Sequence, residues 1–220
     1  DVSVAPAVLD ELVCSVRRGE VDAVVPTIIG AKPRPLGFRY PSAWREPALC
    51  LVDVVRLRRR RSGAQQSSRH VAGFGGVVRR RRRFGSAALL VIRRSAFETV
   101  EGFDERYFLY GEDLDLWYRL TSAGFDLGFA THLEAHHAEG QGSAASSASR
   151  TVLRWLSREL FAQLHEAGPR RWYRLVHRTL APALPHDCAV RSMRSAYEAG
   201  DSPEAAIAQV RWGTTPARPA

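Results

Sequence analysis

The sequence has almost no lysine. Lys32 is the only one, so nearly all of the 32 basic residues are arginine. Cysteine is scarce as well: Cys14, Cys50 and Cys188 are odd in number, far apart and without metal-ligand spacing. That excludes a zinc ribbon and a disulfide framework, and suits a reducing cytosol. No apolar run approaches 18 residues, so no membrane-spanning helix is expected. The first residues lack a basic stretch followed by an apolar one, so no signal peptide is expected. Charge of one sign dominates, with a net charge of +9 and a sequence pI near 10.3. Hydrophobic residues make up 45% of the 220, which supports a globular core and excludes a disordered chain. The basic excess points to an anionic partner, whether nucleic acid, phospholipid or diphosphate, and does not choose among them.

Residues 6 to 18 read as a helix with Pro6 in its first turn, Gly19 beyond its end, and Leu9, Leu12, Val13 and Val16 on the buried face. Val21 to Ile29 reads as a strand that Pro26 places at an edge or ends early. Residues 30 to 47 form a proline-rich loop, and a short helix follows over about 48 to 58. Arg58 to Arg61 and Ser62 to Ser68 read as solvated. A second arginine run, 79 to 83, follows Gly73, Gly75 and Gly76 and ends a loop or an exposed hairpin. Ala87 to Ile92 is a second strand. Ser95 is expected to cap a helix over 96 to 101, with Glu98 at the capping-box position and Gly102 at its end.

Residues 102 to 115 are the most informative stretch. Asp104, Glu105, Glu112, Asp113 and Asp115 alternate there with Phe103, Tyr107, Phe108 and Tyr110. Leu116, Leu120 and Ala123 mark the apolar face of a helix over 112 to 123. Glu112 and Asp113 then sit on its first turn, where exposed N–H groups and the helix dipole favour a charged carboxylate. Asp115 and Arg119 are one turn apart and can pair on the outer face. Short strands follow at 125 to 130 and 133 to 137. Gly140 to Ser149 reads as a linker. Beyond 150 the pattern is helical. Val152, Leu153, Leu156, Leu160 and Leu164 form one stripe, with Arg154 and Arg158 on another side. Trp172, Leu175, Val176 and Leu180 mark a second helix among Arg170, Arg171, Arg174 and Arg178.

The order Gly-Phe-Asp-Glu, then Phe-Leu-Tyr-Gly-Glu-Asp-Leu-Asp-Leu, then Arg119 and Gly124, resembles the acceptor half of family-two inverting glycosyltransferases of the GT-A fold. The rhamnosyltransferase-like members are the nearest in pattern. Gly85 to Phe97 resembles the strand and turn before that stretch, and His137 with Gly140 resembles the family's H-x-x-G ending. The similarity is good over roughly 84 to 143, weaker over 1 to 60, and fades after about 165.

The resemblance implies an α/β protein: a partial, Rossmann-like GT-A domain over 1–143 with a helical C-terminal extension over 144–220. It implies transfer of a sugar, with inversion, from a nucleotide-sugar donor to a glycan or polyprenyl-diphosphate-linked acceptor. Asp113 matches the general base and Glu112 the neighbour that orients acceptor or base. Asp104 and Tyr110 are acceptor-binding positions, although Asp104 also reads as a turn cap. Asp115 is structural, through Arg119. His137, in preference to His136, and Asp1 match the metal positions, for Mg²⁺ or Mn²⁺. Where the family often has a proline six positions before the histidine, this chain has Thr131. The nucleotide-binding half of the family would precede Asp1, so the chain is expected to be incomplete and inactive alone. The arginine runs read as solvated loops or as contacts to an anionic membrane, at the inner face of the plasma membrane in a cytoplasmic protein. Nucleic acid is the least favoured partner, because no stacking-aromatic motif, zinc pattern or helix-turn-helix accompanies the runs. The rival reading is a non-enzymatic basic module binding membrane or nucleic acid.

Overall fold

A computed structural model describes residues 2–30, 37–60, 76–79, 83–137, 147–184 and 187–212. Its elements, in chain order, are β1 (Val2–Ser3), α1 (Pro6–Arg17), β2 (Ala23–Ile29), β3 (Phe38–Arg39), α2 (Glu46–Arg60), β4 (Val77–Arg79), β5 (Arg83–Phe84) and β6 (Val91–Ile92). Then come α3 (Arg94–Thr99), α4 (Glu112–Ser122), β7 (Leu127–His137), α5 (Ser147–Leu164), α6 (Arg170–Leu180), a 3₁₀ turn (Ala181–Ala183), α7 (Cys188–Ala199) and α8 (Pro203–Trp212). The chain forms two compact units: residues 1–40, 65–104 and 113–143, and residues 41–64, 105–112 and 144–220. The fold is mixed α/β, as the family resemblance implies for a partial GT-A domain with helices towards the C-terminus.

The first unit is built on β7. Its 11 residues pair along one edge with β2, in parallel, and along the other with β4 near its start and β1 at its end, both antiparallel. β6 pairs antiparallel with β2. Alternate side chains leave a strand on opposite faces, and the core divides accordingly. Ala23, Val25, Leu127 and Phe129 pack with Leu116, Trp117 and Leu120 of α4 and Ala96 of α3. Val24, Ala130 and Leu133 pack on the other face with Leu12 and Val16 of α1. Each such aliphatic burial contributes about 1.5–3 kcal/mol. Gly128 is needed where a Cβ would lie 2.3 Å from Val77 Cγ1.

Several expectations are corrected in this unit. β2 lies between β7 and β6, and Pro26 does not end it; β6 pairs only with Ala23 and Val24, so from Pro26 onward β2 is paired on the β7 side alone among the described residues. The pairing jumps from Pro26–Ala130 to Thr27–Glu134, a bulge at the position where proline has no N–H to give. Thr27 Oγ1 donates to the Thr131 carbonyl at 3.3 Å beside that break. Residues 125–130 and 133–137 are not two strands, because β7 is continuous. Only Val91 and Ile92 of the 87–92 strand are extended, with a turn before them. Ser95 caps nothing: α3 starts at Arg94, its N-cap Arg93 makes no side-chain cap bond, and Glu98 pairs with Arg94 at 2.7 Å. β4 and β5 do not form a hairpin, since β4 pairs with β7 and β5 with β3. On α1, Leu9 is exposed and Ser15 takes a buried place. Ala123 lies past the end of α4 and is exposed. The 62–68 loop, the 73–75 glycines, Gly140, most of the 140–149 linker and Asp1 lie outside the described residues.

The second unit is helical. α5 is buried on most sides, through Val152, Leu153, Trp155, Leu156, Leu160 and Phe161. α7 and α8 pack on it with Met193, Ala196, Ala206 and Ile207. Asp187 caps α7 by accepting from the Ala189 N–H at 2.9 Å. Arg158, which the sequence places on another side from the apolar stripe, lies inside the unit against Glu46. Trp172 and Leu175 do not form the buried stripe of α6, which buries Tyr173, Val176 and His177 and exposes those two.

Candidate active site

The site is built from the start of α4. Before it the backbone turns left-handed at Tyr110 (φ 69°) and Gly111 (φ 96°). A non-glycine residue there stores strain and needs surroundings that impose it. Ser157 of α5 supplies one restraint, its Oγ donating to the Tyr110 carbonyl at 2.7 Å. A Cβ on Gly111 would lie 2.8 Å from both Ser157 Cβ and the Tyr107 ring. Glycine is therefore required twice over, for its torsion and for its size. The guanidinium of Arg154 lies over the Tyr110 ring, 5.5 Å from its centroid. The sequence did not single out Ser157, and it named Arg154 only as lying on another side from the α5 stripe. Both sit in a helix whose apolar stripe reads simply as core.

The first turn of α4 carries the two carboxylates. Asp113 is half-buried, and its Oδ1 accepts from the Leu114 N–H at 2.8 Å. The Oε2 of Glu112 is buried and has no hydrogen-bond partner among the described residues. Burial raises the Glu112 pKa, against a smaller lowering by its own backbone N–H. A desolvated carboxyl without a partner is costly, and such groups concentrate where a ligand completes them.

One turn further on, Asp115 and Arg119 pair at 2.6 Å. The pair is not on the outer face, because Asp115 is fully buried. Arg119 also donates to the Val100 carbonyl and, at 2.8 Å, to that of Gly102. It thus ties α4 to the turn that opens the Gly-Phe-Asp-Glu segment, where Glu101 and Gly102 are both left-handed. Asp104 is half-buried just after that turn, and Phe103 is exposed beside it.

α4 leads through Gly124 into β7 and packs against the face of the sheet. His137 closes that strand, half-buried and opposite Val2, whereas His136 is exposed opposite Ser3. β1 therefore runs its first described residue past His137. Among the described residues, His137 belongs to no group of three His, Cys, Asp or Glu side chains close enough to share an ion.

Glu46, Cys50 and His177 do form such a group in the helical unit. It does not fit Mg²⁺ or Mn²⁺. Arg158 already occupies Glu46 at 2.8 Å, and His177 Nε2 lies 2.8 Å from the same carboxylate. The Cys50 thiol donates to Glu46 at 3.1 Å, and its pKa is raised, first by burial. A protonated thiol and a guanidinium leave no vacancy for a hard cation. The group is an ion-pair network that Glu159 extends, paired with Arg174 at 3.1 Å and accepting from Tyr197 Oη at 2.7 Å.

Residues 66–157, which include α4 and its flanking turns, match the family described as Glycosyltransferase like family 2. A stretch of 86 residues is 37% identical to an N-acetylglucosaminyl-diphospho-decaprenol L-rhamnosyltransferase of Mycobacterium tuberculosis (strain H37Rv), over 37% of this chain and 28% of that protein. A stretch of 47 residues is 45% identical to rhamnosyltransferase WbbL of Escherichia coli (strain K12), over 21% of this chain and 18% of that one. Over this segment the chain is similar to family-two glycosyltransferases, rhamnosyltransferases among them. Each match spans less than a third of the relative's length.

Proposed function

We propose that this chain is the acceptor-side part of an inverting glycosyltransferase that moves L-rhamnose from a nucleotide-sugar to a polyprenyl-diphosphate-linked N-acetylglucosamine. The acceptor hydroxyl oxygen attacks the anomeric carbon and gives its proton to the Asp113 carboxylate. The bond from that carbon to the nucleoside diphosphate breaks, and the diphosphate leaves with the electron pair. Glu112 orients the acceptor through a hydrogen bond, and Asp104 and Tyr110 are each acceptor-binding candidates. His137, with Asp1, would hold a Mg²⁺ or Mn²⁺ ion that neutralises charge on the leaving diphosphate.

One observation carries this reading: the buried Oε2 of Glu112, without a partner among the described residues, beside Asp113 in the segment that matches the family. The test is transfer of L-rhamnose to N-acetylglucosaminyl-diphospho-polyprenol by an intact enzyme that contains this chain, wild type against D113N and E112Q. D113N should keep its fold and lose turnover by about 10² or more. E112Q should act mainly on the KM for the acceptor. Near-full turnover in D113N would overturn the assignment of the base.

A further inference from the structure

The helical unit exposes apolar side chains of a kind its core was expected to absorb. Trp44 is 93% exposed and Leu175 56%, and Trp172 is also open to solvent. α2 adds Leu51, Val52 and Val55, exposed one turn or one residue apart. The Trp172 indole N–H donates to the Ala43 carbonyl at 2.7 Å, which brings the open side of α6 next to Trp44 and the start of α2. Within the two segments that carry these side chains, 41–58 and 169–184, the exposed charged residues are arginines. Arg45, Arg56, Arg58, Arg171 and Arg178 are exposed and make no ion pair among the described residues. From 41 to 58 and from 169 to 184 the only carboxylates are Glu46 and Asp53. Both are buried against arginine, Glu46 against Arg158 at 2.8 Å and Asp53 near the same side chain at 3.7 Å.

We propose that this face, made by α2, the turn before it and α6, docks on an anionic phospholipid bilayer. Two exposed tryptophans beside leucine and valine match the headgroup–acyl boundary, where amphipathic rings settle. Unpaired arginines with no acid among them match anionic headgroups. A solvated charged surface would carry both signs and would not expose two indoles. The geometry here also corrects which helices take part. The stripe of α5 is core, and only α2 and α6 present this face. The inference stands on this surface alone and does not rest on the transferase reading.

The experiment is co-sedimentation of the purified protein with phosphatidylcholine vesicles, and with vesicles in which about a third of the lipid is phosphatidylglycerol. Binding should favour the anionic vesicles by at least about tenfold and weaken with added salt. The W44S/L175S and R171E/R178E variants should each lose most of it, with unchanged circular dichroism and urea midpoints. R94E, which changes a fully solvated arginine of the other unit, should bind as the wild type does. Quenching of tryptophan emission by brominated lipid should weaken in W44S/L175S. Equal binding to neutral vesicles, no binding to either, or an R94E loss matching that of R171E/R178E would overturn the proposal. So would a dimer that the same face variants dissociate, which would assign the face to a second copy of the chain.

Discussion

The hydroxyl of Ser157 and the carbonyl of Tyr110 are 47 residues apart in sequence and 2.7 Å apart in space. That bond, with the close packing of Gly111, sets the turn from which α4 and its two carboxylates start. G111A should therefore destabilise the protein by more than about 1 kcal/mol, because the left-handed torsion excludes alanine and its Cβ meets two side chains. S157A should cost about 1 kcal/mol, the worth of the lost hydrogen bond. Urea midpoints measure both. A G111A midpoint equal to the wild type would show that the turn relaxes freely.

The pairing of Asp115 with Arg119 is a second support. Removing one member strands a charge beside a buried helix, and here it also leaves two carbonyls without a donor. R119M should cost about 3 kcal/mol. Because the partners share one interaction, D115N/R119M should be less unstable than the sum of its single variants. Strict additivity in that cycle would mean that the pair carries no coupling.

Glu46 predicts an acid response. Burial alone would raise its pKa, but Arg158 and His177 outweigh burial and hold it at about 2, below the ordinary 4.5. The unfolded chain then takes up the proton first as acid is added. The stability this carboxylate contributes is complete above 4.5 and is lost as pH falls through about 2. The Glu159 pKa is lowered too, burial being overcome by His177 and Tyr197, and adds a loss of the same sign. Urea midpoints should fall steadily through this window. In E46Q the curve should start lower at neutral pH and be flatter in acid. An E46Q curve parallel to the wild type would refute the assignment.

The two histidines at the end of β7 separate a metal role from a surface one. H137A should raise the Mn²⁺ concentration needed for half-maximal transfer, and H136A should leave it unchanged. Manganese titration by calorimetry gives the same comparison without turnover. The reverse ranking would move the ligand by one residue.

The start of α4 was legible in the residues themselves. Glycine at 111, carboxylates at 112 and 113 and an apolar face at 116 and 120 are local chemistry, and local chemistry sets helix starts and faces. The same holds for the interior of α5, whose stripe has helical spacing. Other features follow from contacts over a hundred residues long, which no local pattern encodes. Pro26 reads as a strand end until β7 is seen to bulge around it. Arg158 reads only as lying on another side from the apolar stripe, and its partner Glu46, 112 residues away, is met inside the helical unit. Trp172 and Leu175 read as core because they are apolar, yet α6 turns Tyr173 and His177 inward. His177 has Glu46 and Tyr197 to bond there, whereas the Trp172 indole N–H finds its acceptor, Ala43, at the surface. Sequence thus determined where the carboxylates sit on their helix. Only the tertiary structure decided which charges are buried and which apolar face is left open, because burial depends on partners that the fold alone supplies.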